Sequence, residues 1–253
     1  MISAIIPTYK SPEVLDIALS SAINNQDNTN EIIVVADGFY DINRSVLEKW
    51  KQDITIIDVV ENAGLCAAYN MGVFNSSCEK ILLVNDDNVF PRNWDTKLEK
   101  VYLPNALISP NQIEPTNSIF PQFVIKNLGK QDSFDMTNFL EYADSISEDR
   151  TDNCGYTLPI FMSRTDYVRL GGWDEKYPKI GLVADWDFFL RCKLAGLKII
   201  RSYSCHFYHF GSVTSNNKEL YDRQRNELIS HLYAEKKWGK RIQHSFLDNS
   251  KYI

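Results

Sequence analysis

The sequence predicts an α/β protein built on a doubly wound, mostly parallel sheet, and three observations carry that prediction. Short, partly β-branched apolar runs recur between Ile2 and Val84. Stretches with helical apolar spacing separate them, and the runs end in polar turns rather than hairpin signals.

Taken in order, Ile2 to Pro7 is the first strand, closed by Pro7-Thr8-Tyr9-Lys10. Ser11 followed by Pro12 supplies an N-cap and a first helical residue, where proline's fixed φ and missing N–H cost nothing. That helix runs to about Asn24. Glu31 to Ala36 is the second strand, ending in Asp37-Gly38. A helix over Ser45–Lys51, a strand over Ile54–Val60 and a helix opening at Asn62-Ala63-Gly64 and reaching about Asn75 follow. Ile81 to Val84 is brief, apolar and bounded by turn formers, which predicts a buried strand.

At the carboxyl end of that strand stand Asn85, Asp86, Asp87 and Asn88, and Pro91 stops a smooth extension. Ligands of open α/β sheets bind at that end of the strands. Adjacent carboxylates repel each other, and burying them without a cation is costly. A hard divalent metal bridging to a phosphate oxygen would remove the cost. The plain alternative is a polar turn in which Asp and Asn bond their own backbone.

From Pro104 to about Asn153 the pattern weakens, with prolines at 104, 110, 115 and 121 and an acidic stretch over Asp144–Asp152. This reads as a variable, partly looped insertion with one helix near Met136–Ala143. Order returns with a strand over Tyr156–Met162 and a short helix over Arg164–Leu170, stopped by Gly171-Gly172. Val183 to Ala195 has helical apolar spacing and is closed by Gly196. Lys198 to Ser202 is a further strand leading to Cys205-His206-Phe207-Tyr208-His209, and Leu220 to Trp238 is a charged amphipathic helix. The expected organisation is one domain over 1–215, with the insertion at 104–153 and a helical extension over 216–253.

Totals narrow the function classes. Acidic residues outnumber basic ones, 33 to 27, for a net charge of −6, which argues against a general nucleic-acid binder. Five scattered cysteines without a CxxC pair read as free thiols in a reducing compartment. No apolar run approaches the ~18 residues of a membrane span, and Met1 leads almost directly into a strand, leaving no room for a leader. A cytoplasmic location is the expectation.

Seven short pieces, in order, resemble family 2 glycosyltransferases of the GT-A fold. They are Ile5-Ile6-Pro7-Thr8-Tyr9, Val34-Val35-Ala36-Asp37-Gly38, Glu61 to Leu65 with Ala68-Tyr69-Asn70-Met71-Gly72, Asn85-Asp86-Asp87, Gly171-Gly172-Trp173-Asp174-Glu175, Ala184-Asp185-Trp186-Asp187 and His209-Phe210-Gly211-Ser212. The resemblance implies inverting transfer of a sugar from a nucleotide diphosphate sugar to an acceptor hydroxyl. It places Pro7, Thr8, Tyr9 and Asp37 at the nucleobase, with Asp37 accepting from the base N–H edge. Asn62, Gly64 and Asn70 fall on the donor side, where a helix amino terminus suits an anion. Asn85 replaces the first acidic residue of the metal motif. Asp86 is then assigned to the sugar or ribose and Asp87 to the metal, with His209 completing the shell and His206 as a substitute. Oxygen ligands plus one imidazole suit Mn²⁺ better than Mg²⁺. Asp185 takes the place of the general base, although Ala184 stands where the family has Glu. Trp173 and Trp186 are apolar platforms able to stack on a sugar, or core residues.

A UDP-sugar is the leading donor, with GDP- and dTDP-sugars as competitors, and a glycan, lipid-linked or other hydroxyl as acceptor. The C-terminal helix packs on its own domain by default, with a partner or a membrane surface as alternatives. Asn85 and Ala184 also motivate a non-catalytic nucleotide-sugar or glycan-binding module. A dinucleotide-dependent oxidoreductase is argued against by the lack of GxGxxG after the first strand.

Overall fold

The computed structural model describes residues 1–116, 118, 121–211 and 222–239. In chain order the elements are β1 (Ile2–Thr8), α1 (Pro12–Asn24), β2 (Glu31–Asp37), α2 (Tyr40–Trp50), β3 (Thr55–Val59), α3 (Leu65–Phe74), β4 (Lys80–Leu83), β5 (Asn88–Val89) and α4 (Trp94–Val101). They continue with β6 (Ala106–Glu114), β7 (Val124–Ile125), α5 (Met136–Ser145), β8 (Thr151–Asp152), β9 (Ile160–Ser163), α6 (Arg164–Arg169), α7 (Ala184–Leu194), β10 (Lys198–His209) and α8 (Arg223–Trp238).

One sheet runs β3-β2-β1-β4-β9-β6-β10-β5, with β7 on β6 and β8 on β10. β1, β2, β3 and β4 pair in parallel, as do β6 and β10. β9 is antiparallel to both β4 and β6. Two reversals restore the direction, so β6 and β10 point the same way as β1 and β4. The carboxyl ends of β1, β2, β4, β6 and β10 therefore share one edge of the sheet. The sheet is covered on both faces. One face packs Ile5, Ile33 and Leu83 against Tyr69 of α3 and Phe188 and Phe189 of α7; the other packs Ile6, Val34 and Leu82 against Leu15 and Leu19 of α1, Leu47 of α2 and Trp94 of α4. Burial on both faces is why the strands read as continuous apolar runs instead of alternating ones.

Gly72 is where α3 meets the sheet. A Cβ there would stand 2.3 Å from Cγ2 of Ile5, so only glycine lets the helix lie this close.

The element boundaries depart from expectation in instructive places. α2 begins at Tyr40, five residues before the expected Ser45, because Phe39 adopts a left-handed conformation (φ 60°) that turns the chain straight out of β2. α3 starts at Leu65, with Gly64 at φ 99° as the capping residue. The main correction concerns 104–153. It holds β6, a nine-residue strand between β9 and β10 in the sheet. Pro110 signals a break by sequence, yet it sits within the strand opposite Ser202 of β10. β10 runs to His209, seven residues beyond the expected Ser202, through an irregularity between Ser202 and His206. Of the expected helix over Leu220–Trp238, Leu220 lies outside the described residues, as does Ser212 of the last motif.

Candidate active site

The strand ends at the shared edge converge on one cavity of about 670 Å³, within the usual range for a small-molecule site. Its floor carries Pro7, Thr8 and Tyr9 from β1, Asp37 from β2, and Asn85, Asp86 and Asp87 following β4. Glu114 and His209, the last residues of β6 and β10, stand beside them. Asp185 and Trp186 enter from the first turn of α7, and Arg223 and Glu227 from α8.

Local folding places the acidic turn. After β4, Val84 still donates its amide to the carbonyl of Ile5 (3.1 Å), so the turn begins only at Asn85. The chain then enters β5, where Asn88 lies opposite His209 of β10. That two-residue pairing brings His209 Nε2 to 3.4 Å from Asp87 Oδ2. On its other side, His209 Nδ1 lies 3.0 Å from Oε1 of Glu114. Burial disfavours the imidazolium, but the two carboxylates prevail and hold its pKa up at about 10. Asp86 accepts a 2.7 Å hydrogen bond from the Thr8 hydroxyl. Burial first, and then the charge of Asp87, push its carboxyl up to about 7. Asn85 accepts from the Tyr69 hydroxyl at 2.8 Å.

Among the described residues no group of three His, Cys, Asp or Glu side chains is arranged to hold a metal. The residues nevertheless fit a divalent ion held by two of them. Asp87 Oδ2 and His209 Nε2 are close enough to touch one ion, and the crowded Asp86–Asp87 pair is the kind of buried charge that a cation relieves. The remaining positions would fall to phosphate and water oxygens, the usual arrangement where a metal serves a diphosphate.

Asp37 spends its carboxylate locally: Oδ1 accepts from the amide of Ala63 (2.6 Å) and Oδ2 from that of Gly64 (2.9 Å). It thereby caps the start of α3 across the crevice. Burial outweighs these bonds and the nearby charge of Lys179, leaving its pKa raised. Lys179 itself lines the cavity and donates to the Asn62 carbonyl at 2.6 Å.

Asp185 is part-exposed in the cavity wall and accepts from the amide of Trp186 at 2.9 Å. Desolvation raises its carboxyl to about 6, above the benefit it draws from the helix backbone.

Several sequence-assigned residues stand elsewhere. Asn62, Gly64 and Asn70 do not line the cavity. Asn70 is a clamp: it accepts from the Tyr167 hydroxyl (2.6 Å) and the Trp173 amide (2.9 Å), and donates to the Trp173 carbonyl (2.9 Å) and Glu175 (2.7 Å). It fixes the Gly171-Gly172-Trp173 turn. Trp173 does border the cavity, but it is buried and no open platform, because Tyr69 and Phe188 stack on it at centroid distances of 5.6 and 5.2 Å. Trp186 keeps part of its ring exposed in the cavity wall. His206 cannot substitute for His209: it is buried outside the cavity, and desolvation lowers its pKa to about 4. Sequence reasoning missed Glu114, Lys179, Arg223 and Glu227. Glu114 had only a weak signal, the short apolar run Ala106-Leu107-Ile108 that opens its strand, because Ser109-Pro110-Asn111-Gln112 breaks the pattern before it.

The fold defines a class. The chain superposes on the Staphylococcus aureus TarS fragment 1–349 (TM-score 0.60, 14% identity, 94% of this chain and 72% of that one). It also superposes on GalNAc-T7 solved with UDP, GalNAc and Mn²⁺ (TM-score 0.63, 12% identity, 90% of this chain and 47% of that one). These are GT-A fold glycosyltransferases, and at such identities the likeness establishes the GT-A fold. Residues 3–118 match the family model "Glycosyl transferase family 2", so the amino-terminal half of the sheet, with the acidic turn, resembles that family. Curated relatives include the dolichyl-phosphate beta-glucosyltransferase of Mus musculus, 32% identical over 112 residues (39% of this chain, 35% of that protein). Another is the cholesterol galactosyltransferase of Borreliella burgdorferi, 23% identical over 176 residues (69% of this chain, 47% of that protein). The chain thus spans less than half the length of the relatives it matches.

Proposed function

We propose that the protein is an inverting glycosyltransferase. It moves a sugar, a hexose in the simplest case, from a nucleotide diphosphate sugar to an acceptor hydroxyl in polysaccharide or glycoconjugate synthesis. The observation that carries this reading is the convergence of two chemistries on one cavity. Asp86, Asp87 and His209 gather at the strand ends, and Asp185 looks in from the opposite helix. UDP is the leading nucleotide, supported by the UDP-bound TarS and GalNAc-T7 neighbours. Pro7, Thr8, Tyr9 and Asp37 would receive the nucleotide. Asp87 and His209 would hold Mn²⁺, or Mg²⁺, which when bound supplies positive charge to the departing diphosphate.

Asp185 is the general base. With a pKa of about 6 it is largely ionised at neutral pH yet still basic enough to take the acceptor's proton as its oxygen attacks the anomeric carbon. Attack from the face opposite the leaving diphosphate inverts that carbon. Lys179 stands where it would meet the negative charge of the donor. The five free cysteines, four of them buried, favour a reducing cytoplasm, and among the described residues no helix is long and apolar enough to cross a membrane.

The test is a thermal shift of the purified protein against UDP, GDP, dTDP and CDP, each with Mn²⁺ and with a chelator. Strong stabilisation by one nucleotide, only with metal, supports the reading and names the donor base. No response to any of them would move the non-catalytic binding module ahead.

A further inference from the structure

Arg223 and Glu227, one helical turn apart on α8, both face the cavity that holds Asp185. A turn further on, His231 is buried and its ring lies 6.0 Å from that of Trp186. Glu227 reaches to within 3.9 Å of His231 while about half of its side chain stays exposed. A guanidinium, a carboxylate and an indole therefore line the same cavity as Asp185.

The position of α8 is built in. Lys237 Nζ bridges two carboxylates, Asp174 Oδ2 at 2.6 Å and Asp187 Oδ1 at 2.7 Å. The Tyr233 hydroxyl donates to Asp174 (2.9 Å) and Trp238 Nε1 to Asp187 (2.8 Å). Asp187 is wholly buried. This desolvated anchorage holds the helix at the cavity mouth with a defined face inward.

Resting on the glycosyltransferase reading, we propose that the α8 face of the cavity is the acceptor subsite and that its occupant is a sugar ring. The ring would lie against Trp186, with neighbouring hydroxyls bonded by Glu227 and Arg223 and one hydroxyl presented to Asp185. An aromatic face beside charged, bidentate-capable groups matches a polyhydroxylated ring, which offers both C–H faces and O–H groups. A bare long-chain alcohol offers no row of hydroxyls for the guanidinium and the carboxylate to bond.

The experiment uses the whole protein, Mn²⁺ and a panel of hexose donors carrying the nucleotide that the thermal shift selects. Methyl glycosides of common hexoses serve as probe acceptors, and farnesol as an alcohol without a sugar ring. The wild type transfers to glycosides and not to farnesol. In Glu227→Ala the acceptor KM rises about tenfold or more, with donor KM and nucleotide binding unchanged; Arg223→Ala moves the same parameter. Both side chains are exposed, so neither change threatens folding. Unchanged acceptor KM in both variants, or transfer to farnesol with refusal of every glycoside, overturns the assignment. A wild type that binds no nucleotide with metal removes the underlying glycosyltransferase reading instead, and the assignment with it.

Discussion

At the residue scale the sharpest predictions belong to Asp185, the proposed general base. Its raised pKa gives the sign of two expected effects. Transfer should rise with pH through about 6 and level off above it, because only the carboxylate accepts a proton. A profile flat between pH 5 and 8, once donor binding is corrected for, would contradict the assignment. The same shift means that the ionised form is disfavoured in the fold, so stability falls as pH rises from the ordinary carboxylate range through about 6. Asp185→Asn should therefore abolish transfer while melting no lower than wild type at neutral pH, checked by activity and calorimetry together. Glu114 acts one step back. Its contact with His209 Nδ1 turns Nε2 toward Asp87, and removing such an outer partner typically weakens metal binding about 10–100-fold. Titration of Mn²⁺ into nucleotide-loaded Glu114→Gln, followed by electron paramagnetic resonance, measures that loss without any turnover.

α8 and α7 show, at the scale of elements, how a charged helix can be fixed firmly. Asp187 accepts from Arg191 (2.9 Å) as well as from Trp238, and shares Lys237 with Asp174. Removing one partner of a buried charge cluster leaves the others uncompensated and costs about 3–5 kcal/mol. Asp187→Ala should lose stability of that order in denaturant unfolding and expose α8 to trypsin at Lys236 and Lys237. Undiminished stability would show that α8 is held by packing alone. β6 teaches the converse. Its proline reads as a breaker, but the sheet tolerates it because Pro110, opposite Ser202, stands where the register with β10 shifts between Ser202 and His206, and such an irregularity is where a strand accepts proline.

The whole molecule brings five strand ends to one edge by two antiparallel reversals about β9. A nucleotide with metal that binds only this assembled edge stabilises the entire fold by mass action, by about 2.7 kcal/mol at a hundred times its Kd. For a domain of this size the melting temperature should rise by roughly 5–10 °C. The chelator should erase most of the gain; an equal shift with and without metal would deny Asp87 and His209 a role in binding.

Legibility follows from the range of the interactions. The α/β class, the succession of the first four strands along the chain and the acidic turn at 85–88 were readable in the sequence, because periodicity and proline and glycine signals are local along the chain, while Asp37, Asp185 and His209 were pointed to by the family resemblance of short motifs. Tertiary structure alone decided that β6 is a central strand, that Glu114 stands behind His209, that Asn70 and Trp173 serve the core, and that α8 closes the cavity. Each depends on which distant segments meet, through sheet register and desolvated ion pairs, and no window of adjacent residues contains that information.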